Sequence, residues 1–140
     1  MRTEDRFTTT LAYVDGRKKE SRVRVEKLAF IRVFDGKIWY YASTTDLDDI
    51  QKNLDRLYAL AKPNPKIGSN KTVRRFEVNS DVRMQFAPVS VRNVPFGKKD
   101  ELVRSYLKEI ERFKGAMPVG MYVDRNSVFE FSSSKGAYIK

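Results

Sequence analysis

The chain contains neither cysteine nor histidine. Without cysteine there are no disulfides, no thiolate metal sites and no cysteine nucleophile. Without histidine there is no imidazole base near neutral pH, no Ser-His-Asp machinery and no histidine-ligated zinc. Carboxylates alone can still hold Mg²⁺ or run glycosidase chemistry, so a short catalytic menu remains. No apolar run approaches the roughly 20 residues that span a bilayer. The opening "MRTEDRFTTT" is polar and has no apolar signal-peptide core. These absences point to a non-membrane, intracellular protein.

What is present suits a packed domain of one or two small lobes. Of 140 residues, 41% are hydrophobic and 12% aromatic. The net charge is +10, and its placement is uneven. Residues 63–99 hold eight Lys or Arg against two acids, whereas residues 46–62 hold three against four. A basic segment attracts nucleic acid or other anionic surfaces, and it is also an ordinary solubility device.

Residues 7–14 ("FTTTLAYV") have strand composition, and Asp15-Gly16 supplies the positive φ values of a tight hairpin. The return strand lies within "RKKESRVRVE", with Val23 and Val25 on one face. A third strand is expected over 28–34 and a fourth over 37–43, joined by a second Asp-Gly turn at 35–36. The third and fourth strands are nearly continuous in apolar residues, which predicts a central position covered on both faces. From Asp46 to Lys62 the period changes to that of an amphipathic helix, with Leu47, Ile50, Leu54, Leu57, Tyr58 and Ala61 on one stripe. Pro63 and Pro65 stop it.

Residues 63–97 form a basic crossover with one expected strand, "TVRRFEVN". A second helix is predicted over 98–114, its apolar stripe made by Leu102, Val103, Tyr106, Leu107, Ile110 and Phe113, and Gly115 ends it. A strand pair turning at Asp124-Arg125-Asn126 follows, then a turn at Lys135-Gly136. The fold class is therefore α+β: an antiparallel meander of hairpins covered by a helix, a basic crossover, a second helix and a terminal hairpin. The expected organisation is a lobe over 1–62, a crossover over 63–97 and a lobe over 98–140. The abrupt opening and closing strands read as cut from something longer.

Several residues invite functional readings. Trp39 and Tyr41 share one face of a strand while Tyr40 takes the other, which makes them core residues or anchors for a partner or peptide. Arg74, Arg75 and Arg83 are the candidate anion contacts. The acids Asp46, Asp48 and Asp49 are better read as complements to a helix N-terminus than as a metal site, with Thr45 or Asp46 as the cap. Ser43, Thr44 and Thr45 have no base to activate them. No pair of carboxylates makes a convincing catalytic couple.

The stretch "RVFDGKIWYYASTTDLDDIQKNLDRLYALA" resembles the N-terminal region of the TldD/PmbA family, zinc-dependent peptidases once described as modulators of DNA gyrase. The carrying features are a strand ending in Asp-Gly, a strand ending in Ala42-Ser43-Thr44 followed by Asp46-Leu47, and the amphipathic helix. "TTTLAYVDGRKKES" and "VFEFSSSKGAYI" extend the likeness over nearly the whole chain, which would be about the first third of a family member. The resemblance implies a non-catalytic part of a peptidase whose His-Glu motif, and therefore its zinc, lies further along a longer protein. It implies a cytoplasmic location, a homologous or identical partner subunit, and unfolded peptide as substrate. No cofactor is expected in this chain itself. The rival expectation is a stand-alone basic nucleic-acid-binding module.

Overall fold

A computed structural model describes residues Met1–Lys140. The chain forms β1 (Arg2–Val14), β2 (Arg17–Phe34), β3 (Trp39–Thr44), α1 (Ile50–Leu60), α2 (Lys71–Arg74), β4 (Ser80–Asp81), α3 (Phe96–Glu111), β5 (Val119–Ser132) and β6 (Tyr138–Ile139). The sheet order is β3-β2-β1-β5-β6-β4, and only the short β4–β6 pair is parallel. The α+β class and the mostly antiparallel sheet are as expected.

Both Asp-Gly turns form. Asp15 and Gly16 take φ values of 50° and 67°, the pair of positive angles that matches a two-residue turn to the twist of its strands. At the second turn Gly36 has φ of 102°, and Phe34 faces Trp39 across the hairpin.

Several expectations are corrected. The second and third strands are one continuous strand, β2, because nothing between Arg17 and Phe34 is a Gly, Pro, Asn or Asp that could turn the chain. Likewise Asp124-Arg125-Asn126 is no turn but the middle of β5, where all three keep negative φ. "TVRRFEVN" begins within the single-turn helix α2, which Asn70 caps by accepting from the Thr72 N–H at 2.9 Å, and forms no strand over 72–79. Strand β3 is an edge strand, not a central one covered on both faces.

Contacts divide the chain into two compact units, each assembled from separated segments. The first comprises Met1–Asp5, Glu26–Met84 and Val128–Lys140; the second comprises Arg6–Val25 and Gln85–Ser127.

In the first unit α1 packs on β3, burying Leu57, while Ala29 and Ile31 of β2 are also buried. Segment 64–70 is tied to the Asp35-Gly36 turn: Asn64 Nδ2 donates to the Asp35 carbonyl at 2.9 Å and Asn70 Nδ2 to the Gly36 carbonyl at 3.0 Å. The Asp35 carboxylate accepts from the Lys37 and Ile38 N–H groups, both at 2.8 Å, and from Tyr40 Oη at 3.0 Å. Those bonds, the Ile38 N–H first, hold its carboxyl below the ordinary value.

In the second unit the pleat of β1 buries alternate residues Phe7, Thr9, Leu11 and Tyr13 beneath α3. The helix contributes Val103 and Leu107, with Phe96 and Tyr122 at the margin of the cluster. Of the expected helical stripe, Leu102, Tyr106 and Phe113 are exposed. The buried stripe is Lys99, Val103 and Leu107, four residues apart each time. Gly120 lets this helix approach β5: a Cβ there would stand 3.0 Å from Leu107 Cδ2 and 3.3 Å from Val103 Cγ1.

Candidate functional site

The register of β2 against β3 sets Phe34 opposite Trp39, Arg32 opposite Tyr41 and Phe30 opposite Ser43. These six side chains therefore share one face of the hairpin. Phe34 and Trp39 stack with ring centroids 4.6 Å apart and planes at 24°. Phe30 stacks diagonally on Tyr41 at 5.7 Å and 28°. The Arg32 guanidinium lies 4.8 Å from the Trp39 ring centroid, and Phe76 meets the same indole edge-on at 6.2 Å. The result is an aromatic row with a cation set into it. It is only partly covered: Trp39 is half-buried and Tyr41 is 56% exposed. Tyr40 takes the opposite face, where it reaches Asp35.

The outer side of β3 has no strand beside it. Its outward N–H and C=O groups are an open template for an added strand.

The predicted anion contacts separate. Arg74 ends α2 and Arg75 follows it, both exposed, immediately before the Phe76 that touches Trp39. Lys135 fixes this segment by donating to the Val73 and Phe76 carbonyls at 3.0 and 2.6 Å. Arg83 does not join them: its Nε is committed to Asp81 Oδ2 at 2.7 Å.

Thr45 and Asp46 do not cap α1. The N-cap position is Asp49, without a side-chain cap bond. Asp46 is engaged earlier: its N–H donates to Thr44 Oγ1 at 3.0 Å and its carboxylate accepts the Asp48 N–H at 2.9 Å. That local turn uses the capping oxygen before the helix begins. Asp46, Asp48 and Asp49 form no metal-holding group, and neither does any other set of three carboxylates in the chain.

A second constellation, in the second unit, escaped the sequence reading. Lys99 Nζ sits 2.7 Å from Asp124 Oδ2 and donates to Thr9 Oγ1 at 2.9 Å. Asp124 also accepts from the Thr9 N–H at 3.2 Å and from Tyr122 Oη at 2.7 Å. Burial pushes the Asp124 carboxyl up, but the bonds from Lys99, Tyr122 and Thr9 together outweigh it and leave the carboxyl below its ordinary value. Burial, with the bond to Asp124, lifts the Tyr122 hydroxyl to about 12. Nearby, Asp100 accepts from Tyr13 Oη, meets Lys18 Nζ at 2.9 Å and Arg104 Nε at 3.0 Å. The Tyr13 bond leads these in holding Asp100 down at about 2. Every buried side-chain polar atom has a partner, so this network locks a core and offers no unsatisfied group for chemistry. The sequence signal was a lysine placed four and eight residues before Val103 and Leu107 on an otherwise apolar stripe.

No helix is long and apolar enough to cross a membrane. Comparison with protein-family models, curated proteins and solved structures gives no match to this chain.

Proposed function

We propose that this chain is the N-terminal, non-catalytic portion of a TldD/PmbA-like zinc metallopeptidase acting in the cytoplasm, and that it contributes to subunit assembly and to the entry of unfolded peptide. The observation that carries this reading is the pairing of an open strand edge on β3 with the aromatic row of Phe30, Phe34, Trp39 and Tyr41. An extended peptide adds to such an edge through main-chain hydrogen bonds, which need no sequence preference, while the rings grip its side chains. The "FDGKIWYYASTTDLDD" joint that carries the family resemblance builds that edge.

The chain's own residues do not fit a zinc ion. It has no histidine or cysteine and gathers no group of three carboxylates. No chemical step is therefore assigned to it, and zinc belongs to the proposed longer protein.

Trp39 is the sole tryptophan, so its emission reports directly on this site. Titration with a reduced, alkylated and unfolded polypeptide is expected to shift the Trp39 emission saturably, and Tyr41→Ala and Arg32→Ala to weaken binding at least fivefold. Unchanged binding in both variants would remove the peptide reading. A reading frame that continues past Lys140 into a His-Glu helix supports the peptidase assignment; a frame that closes without one removes it.

A further inference from the structure

The hairpin of β2 and β3 keeps one register throughout, and that register fixes which main-chain groups of β3 are open. The Asp35 N–H donates to the Ile38 carbonyl at 3.2 Å, so these two residues form a hydrogen-bonded pair. Such pairs recur at every second residue of an antiparallel ladder, which puts Tyr40, Ala42 and Thr44 in the next ones. The N–H and C=O groups of Trp39, Tyr41 and Ser43 therefore point away from β2, along the edge where no further strand stands. The side chains of the same three residues lie on the face of the aromatic row. A strand added there sets the residues opposite Trp39, Tyr41 and Ser43 beside the rings and turns its alternate residues to the other face. A helix has already used its main-chain donors and acceptors internally, so the occupant of this edge is an extended segment.

Charge selects one of the row-facing positions. Arg32 is exposed, stands opposite Tyr41 and carries its guanidinium over Trp39, 4.8 Å from the ring centroid. It makes no hydrogen bond and no ion pair within the chain. Other cations of this unit are committed: Arg83 to Asp81, Lys140 to Glu130, and Lys135 to the Val73 and Phe76 carbonyls. A guanidinium lying over a ring spends its face on the ring and keeps its edge N–H donors, the fork that fits a carboxylate. The row is thus a set of rings around one uncommitted cation. We infer that the peptide strand added to β3 carries a Glu or Asp opposite Trp39 or Tyr41, held by Arg32, with apolar side chains two positions away against the rings. This rests on the peptide reading given above and adds to it the side chain that makes the edge selective.

Short capped peptides alternating Leu and Ser test this on the full chain, because their apolar face pins which side chains meet the rings. One central Leu, or one central Ser, is replaced by Glu, Gln or Lys, and the Trp39 emission reads the binding. In place of Leu, Glu is expected to bind at least about threefold more tightly than Gln and at least about tenfold more tightly than Lys. In place of Ser, Glu and Gln should bind equally, because that side chain leaves the row. Arg32→Gln should bring the Leu-replaced Glu and Gln peptides to equal affinity, and Arg32→Glu should make Lys better than Glu. Arg74→Gln/Arg75→Gln should leave the Glu preference intact, which separates a paired carboxylate from a general attraction to basic charge. Equal binding of the Leu-replaced Glu and Gln peptides overturns the inference and leaves the peptide reading standing. So does a Glu preference that survives Arg32→Gln, appears equally at the Ser position, or is lost in Arg74→Gln/Arg75→Gln. Binding by none of the peptides overturns both.

Discussion

Lys99 and Asp124 face each other at 2.7 Å with only 2% and 8% of their side chains exposed. Each also holds neutral partners: Thr9 Oγ1 for the amine, the Thr9 N–H and Tyr122 Oη for the carboxylate. Removing one member of such a pair strands a buried charge and costs about 3–5 kcal/mol, whereas replacing both with apolar groups of similar size is close to neutral. Lys99→Met alone is therefore expected to lower the unfolding free energy by that amount in urea. Lys99→Met/Asp124→Leu is expected to recover most of the loss. A single variant as stable as the parent would mean that the pair contributes nothing to the core.

The neighbouring Asp100 makes stability pH-dependent with a defined sign. Its carboxyl is held at about 2, below the ordinary 3.8, chiefly by the Tyr13 hydroxyl and then by Lys18 and Arg104. A depressed folded value contributes stability that is fully present above the ordinary value and lost as the pH falls through about 2. After solvent screening the effect is on the order of 1 kcal/mol. Urea midpoints should fall as the pH is lowered from 4 toward 2, and Tyr13→Phe should shrink that fall, because it raises the folded value toward the ordinary one. Identical profiles for the two proteins would refute the assignment.

Gly36 is fixed by two constraints at once. Its φ of 102° disfavours any side chain, and an added Cβ would stand 2.4 Å from Asn64 Nδ2. Gly36→Ala is expected to cost about 1–3 kcal/mol. Because Asn64 donates to the Asp35 carbonyl beside it, the effects of Gly36→Ala and Asn64→Ala should be non-additive by at least about 0.5 kcal/mol. Strict additivity in a double-mutant cycle would show that segment 64–70 is not tied to the turn.

What the residues disclosed in advance, and what they hid, follows from range. The Asp15-Gly16 and Asp35-Gly36 turns were legible because positive φ is a demand of the local backbone. The length of β2 was not, because an 18-residue strand is extended by its neighbours rather than by any local signal. Apolar density misplaced β3: its rings stack along an exposed row at the sheet edge instead of filling a core. Trp39 and Tyr41 were correctly set on one face, since alternation alone decides that. The Lys99–Asp124 pair joins residues 25 apart in the chain, on a helix and a strand, and its acid had been assigned to a turn. A lysine on an apolar stripe is normally read as a solvent-facing residue, so only the tertiary fold reveals its partner.

The charge of residues 63–99 separates peptide from nucleic acid as the occupant of the aromatic row. Arg74 and Arg75 stand exposed just before Phe76, and Arg32 covers Trp39, an arrangement that also suits bases stacking beside a phosphate backbone. The two occupants respond differently to salt. Binding that neutralises six to ten phosphates loses roughly 10³–10⁵ in affinity between 50 and 200 mM salt. Strand addition to β3 relies on main-chain hydrogen bonds and ring contacts, so the affinity for an uncharged unfolded peptide should change by less than about threefold over the same range. Arg74→Glu/Arg75→Glu should leave that affinity within the same margin. Anisotropy with the labelled peptide and with a labelled single-stranded oligonucleotide, each read at both salt concentrations, checks this. Tight, steeply salt-dependent oligonucleotide binding that Arg74→Glu/Arg75→Glu abolishes would replace the peptide reading with the nucleic-acid one.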